Sequence, residues 1–230
     1  MCGIIGCSTN NVAYVRRNLQ KIKHRGPDAD DVWHDDNVTL GHCLLAITDD
    51  VQSGLQPYTT PIGNKLVYNG EIFNYDFLKL KFEMKLKTAC DTEMLAWGLD
   101  AVGWQFVNSL DSMHGFVYYD VREQKLYLSR DHAGIKPLYY TEHNNDLYFA
   151  SEIRALREAQ PNSNQLDEWA ISSWSHLGIN FTNRTFFKDI RSVAPGETLV
   201  YDLHTRRLSR CQRWFPRCSD ELNFNAEEFR

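Results

Sequence analysis

Cys2 follows the initiator methionine, so removal of Met1 would leave a thiol and a free α-amine on one residue. The thiolate, not the thiol, attacks, and a neighbouring group has to take its proton. An α-amine titrates at about 7.7 to 8.0 and can serve as that base without the tuning a lysine needs. The same cysteine also fits a small apolar residue in a buried first strand, and alone it does not separate the two. Tyr68-Asn69-Gly70-Glu71 places an amide side chain and an unhindered N–H at the end of an apolar stretch, two donors able to hold an oxyanion. Asn-Gly also suits a tight turn, and Glu71 a solvent-facing acid in a first helical turn. In Cys90-Asp91-Thr92-Glu93 a carboxylate opens a helix, where Asp91 also fits an N-cap.

These groups need elements to hold them. A strand over 2–8 precedes Val12, Val15, Leu19 and Ile22, whose spacing predicts an amphipathic helix. His24-Arg25-Gly26-Pro27-Asp28 ends it with turn chemistry. Strands are predicted over 30–34, 37–47 and 65–69, a polar loop over 48–64, and helices over 72–83 and 92–110. From Gly115 the pattern changes to short aromatic-rich strands over 115–121, 125–131, 138–141 and 147–150, an antiparallel meander. Helices over 152–158 and 166–177 and a hairpin of 198–203 with 208–211 follow. Antiparallel sheets need one covered face, and the helices suffice to cover two. The reading is α+β, with stacked sheets between helical layers. Beyond Trp214 the sequence turns polar and charged, which predicts a domain over 2–212 and, over 213–230, a linker reaching the start of a helix capped by Asn225.

Composition narrows the classes of partner. The 230 residues are 43% hydrophobic and 13% aromatic, enough for one large core or two modest ones, and disorder is not expected. A net charge of −5 with dispersed lysines and arginines gives no nucleic-acid footprint. No apolar run reaches the length of a membrane span and the N-terminus has no secretion-signal layout, so a soluble, cytoplasmic protein is expected. The cysteines at 2, 7, 43, 90, 211 and 218 form no metal-ligand spacing, and reduced thiols with no structural metal are expected.

Met1-Cys2-Gly3-Ile4-Ile5-Gly6, His24-Arg25-Gly26-Pro27-Asp28, Tyr68 to Tyr75, Cys90-Asp91, Arg130-Asp131 through Gly134-Ile135-Lys136-Pro137-Leu138-Tyr139-Tyr140, and Phe149-Ala150-Ser151-Glu152-Ile153 occur in one order. In that order and spacing the chain resembles, over about residues 2–215, the N-terminal glutaminase domain of glutamine-hydrolysing asparagine synthetases, a class II glutamine amidotransferase. The resemblance implies an N-terminal nucleophile hydrolase, an αββα four-layer sandwich of two mostly antiparallel sheets. It implies that Cys2 attacks the side-chain amide of glutamine with its own amine as base, while Asn69 and Gly70 stabilise the oxyanion. Glu71 and Asp91 would hold the α-ammonium, and Leu45, Ala46, Ile47 and Thr48 would line the pocket. Ammonia would pass to a synthetase domain or subunit, for asparagine synthesis or a related ATP-dependent amidation. No cofactor is implied for this domain, ATP and magnesium belonging to a synthetase half whose Ser-Gly-Gly-x-Asp-Ser loop does not occur in this sequence.

Three departures from the family pattern stand out. Gly41-His42-Cys43-Leu44-Leu45 puts Leu44 where the family carries an arginine for the substrate's α-carboxylate. An apolar side chain does not replace that bidentate fork. Asp111-Ser112-Met113-His114-Gly115-Phe116 differs from the usual Gly-Met-Phe-Ala-Phe, and Cys90 replaces a serine. His24, His42 and His114 read as structural, and Arg130 and Lys136 as residues that maintain loops. Leu44 leaves two alternatives open: a hydrolase for a different amide, or a weakened relative kept for assembly or regulation.

Overall fold

The computed structural model describes residues 1–47, 51–161, 164–179 and 182–213. Strand β1 (Gly3–Cys7) leads into helix α1 (Val12–Leu19), whose N-cap Asn11 accepts the Tyr14 N–H at 3.1 Å. A 3-10 turn over Gln20–Arg25 continues it and stops at Gly26. Strands β2 (Ala29–His34), β3 (Thr39–Leu44), β4 (Tyr58–Thr59) and β5 (Lys65–Ile72) follow, then helices α2 (Tyr75–Lys81) and α3 (Asp91–Val102). The chain continues through β6 (Ser112–Asp120), β7 (Lys125–Arg130), β8 (Tyr139–His143) and β9 (Asp146–Ala150) to helix α4 (Glu168–Leu177). Strands β10 (Arg191–Ser192), β11 (Glu197–Asp202) and β12 (Arg207–Arg213) complete the described chain.

Two six-stranded sheets result, ordered β10-β8-β9-β1-β3-β2 and β12-β11-β7-β6-β5-β4, and every pairing is antiparallel. Strand alternation sends Ile4, Leu40, Val67, Val117, Leu128 and Phe149 into a core between the sheets. The opposite face of the first sheet carries Ile5, Cys7 and Cys43 against Val15, Leu19 and Ile22. On the second, Leu66, Tyr68, Phe116 and Tyr118 pack on Met94, Leu95 and Leu99 of α3. Helix, sheet, sheet, helix is therefore the layer order, the α+β sandwich of an N-terminal nucleophile hydrolase.

Several boundaries differ from the sequence reading, each for a local reason. The strand predicted over 37–47 spans Thr39–Leu44, because Asp35 Oδ1 accepts the Asn37 and Val38 N–H groups in a turn and residues 45–47 leave the sheet. Strand β5 runs on to Ile72, where a helix was expected, because its pairing with β6 continues to Ile72 opposite Ser112. The helix predicted over 92–110 breaks at Gly103, with φ 83°, into a separate 3-10 turn over Trp104–Ser109. Two 3-10 turns, Ile153–Ala155 and Arg157–Ala159, stand in place of the helix over 152–158. Thr48 and the segment 214–230, with its expected linker and Asn225 cap, lie outside the described residues.

Candidate active site

The inner faces of the two sheets meet at one end of the sandwich, and the period of two along each strand decides what faces the opening. Cys2 is two residues before the inward Ile4, His42 and Leu44 follow Leu40 at the same interval, and Asn69 follows Val67. Cys2, Leu44, Leu45, Ala46, Asn69 and Gly70 border a cleft of about 100 Å³, joined by Ile47, Glu71, Asp91 and Lys136. The structure thus brings together all the residues singled out from the sequence that it describes. Thr48 is outside the described residues.

Cys2 is held by backbone contacts. Its Sγ accepts the Leu45 N–H at 3.5 Å, and the Arg25 Nε–H donates to its carbonyl at 3.0 Å. Arg25 is anchored in turn by Glu152 at 3.2 Å. The adjacent Gly3 leaves room for Cys43 Sγ, which any side chain at position 3 would displace. Asp28 fixes the other wall: its N–H reaches the Leu44 carbonyl at 3.0 Å and its Oδ2 accepts from the Ala46 N–H at 2.9 Å. The Arg25-to-Asp28 turn therefore sets both Cys2 and the loop beside it, a role not assigned from the sequence, since it needs contacts with Cys2 and with residues 44–46.

Burial pushes the Cys2 thiol up, outweighing the Leu45 N–H, the N-terminal amine, Lys136 and Arg25, which all favour the thiolate. A base is therefore required. Met1 is 54% exposed and borders the cleft, and while it is attached the Cys2 nitrogen is an amide. Its own amine is pushed down, first by burial, with Arg25 and Lys136 adding to the effect against the opposing Cys2.

The opposite wall is strand β5. Asn69 is 2% exposed and borders the cleft, and its buried Nδ2 has no hydrogen-bond partner among the described residues. Gly70 is fixed by crowding, because a Cβ there would run into the Met113 carbonyl and the Tyr68 ring. His42 Nε2 lies 3.2 Å from the Tyr68 carbonyl, and Gln56 Oε1 accepts the Tyr68 N–H at 2.6 Å. Burial holds His42 and His114 near pKa 4, so both are neutral and structural, as read from the sequence. His114 bonds Ser112 Oγ at 2.8 Å and Ser129 Oγ at 3.3 Å, which accounts for a histidine in a packed strand.

Of the two acids, Glu71 sits further along the same strand and Asp91 at the start of α3. Asp91 is the first residue of α3, not its cap; the cap is Cys90. Asp91 Oδ2 accepts the Ile72 N–H at 2.7 Å and so ties α3 to β5 beside Glu71. Burial raises the Asp91 carboxyl, the Ile72 N–H opposes it, and the nearby Glu71 charge raises it further. Two neighbouring carboxylates in a cleft favour a cationic ligand group.

Lys136 departs from the sequence reading. Arg130 does maintain its loop, bonding the Lys136 carbonyl at 2.7 Å, Ser192 Oγ at 2.7 Å and the Val193 carbonyl at 2.9 Å. Lys136 itself borders the cleft. Among the described residues no group of three or more histidines, cysteines or carboxylates could hold a metal, and no helix is long and apolar enough to cross a membrane.

A family model described as a glutamine amidotransferase domain matches residues 1–215. Glutamine-hydrolysing asparagine synthetase 1 of Bacillus subtilis is 33% identical over 208 residues, which are 85% of this chain and 33% of that protein. Amidase chry2 of Gibberella zeae is 35% identical over 196 residues, 82% of this chain and 28% of that protein. The solved glutamine phosphoribosylpyrophosphate amidotransferase of B. subtilis superposes with a TM-score of 0.65 at 18% identity, covering 94% of this chain and 50% of that one. At that identity the likeness bears on the fold alone. The chain spans about a third of the length of these two curated relatives, less than half of others it matches, and half of the solved chain.

Proposed function

The chain belongs to the glutamine amidotransferase domain family, and on that premise we propose that it hydrolyses the side-chain amide of glutamine through Cys2 and supplies ammonia to a synthetase domain or subunit. In this reading Met1 is removed and the freed amine takes the Cys2 proton. Sulfur attacks the amide carbon, and the carbonyl electrons move onto oxygen, which the Asn69 Nδ2–H and the Gly70 N–H receive. The oxyanion collapses, the C–N bond breaks, and ammonia leaves with the proton held on the amine. Water then adds to the γ-glutamyl thioester, releasing glutamate and restoring the thiol. Glu71 and Asp91 take the α-ammonium, while Leu45, Ala46, Ile47 and Thr48 frame the pocket.

One observation carries the proposal: the cysteine that directly precedes β1 of one sheet and, in β5 of the other, a buried amide donor with no partner among the described residues border the same cleft. Residues 2–212 form the amidotransferase unit and 213–230 lead onward to the ammonia-consuming part, asparagine synthesis or a related ATP-dependent amidation. The unit itself needs no cofactor, ATP and magnesium serving the synthetase, and a reducing cytoplasm suits its free thiols.

Leu44 favours a second reading. It is 4% exposed and offers only carbon to the cleft, which would suit an amide donor without a free α-carboxylate. Glutamate release from glutamine by the wild type and by Cys2→Ala tests the first reading. Release that vanishes in the variant supports it; equal release rejects it. Faster turnover of glutamine α-amides than of glutamine selects the second.

A further inference from the structure

Lys136 is the one lysine or arginine among the described residues that border the cleft. It is 6% exposed. The ion pairs among the described residues leave its ammonium out. Its backbone is clamped from both sides: Asp131 Oδ2 accepts its N–H at 2.9 Å and Arg130 Nε donates to its carbonyl at 2.7 Å. The same Asp131 oxygen accepts the His114 N–H at 3.1 Å, which fixes the loop to β6. Beside His114, Gly115 pairs in register with Asn69, and the Lys136 Cβ stands 3.6 Å from where a Gly115 side chain would begin. The lysine thus leaves its loop close to the strand pair that carries Asn69, and both residues border the cleft.

We propose that Lys136 places a fixed positive charge beside the Cys2 sulfur and the Asn69 amide, where it stabilises the negative charge that passes from sulfur to the substrate's oxygen. Its field reaches Cys2 and the N-terminal amine, favouring thiolate and free amine respectively, whereas it is not among the groups that act on Asp91. A pre-positioned charge in a site shielded from water acts on developing charge without reorganising. The proposal rests on Cys2 as nucleophile, and it is testable without turnover.

The test is the rate at which iodoacetamide alkylates Cys2 as a function of pH, in wild type, Lys136→Met and Lys136→Arg of the mature protein. Loss of the charge moves the alkylation midpoint up by about one pH unit, and Lys136→Arg returns most of the way. In the glutaminase assay Lys136→Met lowers kcat about tenfold or more with little change in KM. Thermal unfolding checks that the variants are folded; should Lys136→Met fail, Lys136→Gln carries the same comparison. Superimposable alkylation profiles would overturn the proposal. So would a loss confined to KM for donors that carry an α-carboxylate, which would make the lysine a binding group. A wild type that alkylates normally but releases no glutamate would instead reject the glutamine reading.

Discussion

Cys2 directly precedes β1 of one sheet and Asn69 lies in β5 of the other, yet both border one cleft, the sulfur accepting the Leu45 N–H and the Asn69 Nδ2 without a hydrogen-bond partner among the described residues. The two sheets must stack in one relative position for this to occur, so the core between them sets the distance from the Cys2 sulfur to the Asn69 amide. Packing Ile4, Leu40, Val67 and Val117 is in that sense part of building the site.

Because Asn69 Nδ2 makes no hydrogen bond among the described residues, removing it is expected to cost little stability and, in the glutamine reading, much rate. Asn69→Ala is expected to lower kcat about 100- to 1000-fold, the range for loss of one oxyanion donor, with a melting temperature close to wild type. A large drop in melting temperature with kcat preserved would assign the residue to the fold alone.

Gly70→Ala behaves in the opposite way. Its Cβ meets the Met113 carbonyl and the Tyr68 ring, and neither yields without moving β6 or the packing on α3. Overpacking of this kind costs about 1 to 3 kcal/mol, which in a domain of this size lowers the melting temperature by several degrees. Differential scanning calorimetry checks it; an unchanged transition would mean that the strand has slack there.

Stability should also depend on pH through the buried histidines. His42 and His114 are held near pKa 4 by burial against an ordinary 6.5, so between those values the unfolded chain binds protons that the folded chain does not. Stability is complete above about pH 6.5 and falls as pH drops towards 4, by on the order of 3 kcal/mol per histidine at the limit. Urea titrations at about pH 7.5 and about pH 5 measure this. Equal unfolding free energies at the two would contradict it.

Leu44→Arg places a guanidinium in the cleft wall. In the glutamine reading it gives the α-carboxylate a bidentate partner and lowers the KM for glutamine about tenfold or more. A KM that rises, with the variant folded, would place the carboxylate elsewhere.

The order of layers was legible from the alternating aromatic strands of 115–150 and from the helical spacing of Val12, Val15 and Leu19, because burial on one face leaves a period in the sequence. Cys2, Asn69, Gly70, Glu71 and Asp91 stand out in the sequence because their chemistry is rare in that order, and the fold sets all five around one cleft. Arg25, Asp28 and Lys136 were not assigned to the site. Each acts through a contact far along the chain: Arg25 with Cys2 and Glu152, Asp28 with Ala46, Lys136 over Gly115. No periodicity records such pairs. The helix over 152–158 was misread for a related reason: Glu152 is engaged by Arg25, His24 and Arg154, and the chain there turns in two short 3-10 steps.

The most direct measurement is peptide mapping by mass spectrometry after treating the purified protein with a glutamine-analogue electrophile. One adduct, on the sulfur of a Cys2 that has become the first residue, is the predicted result. A retained Met1, or an adduct on Cys90 or Cys43 with Cys2 untouched, would contradict the account.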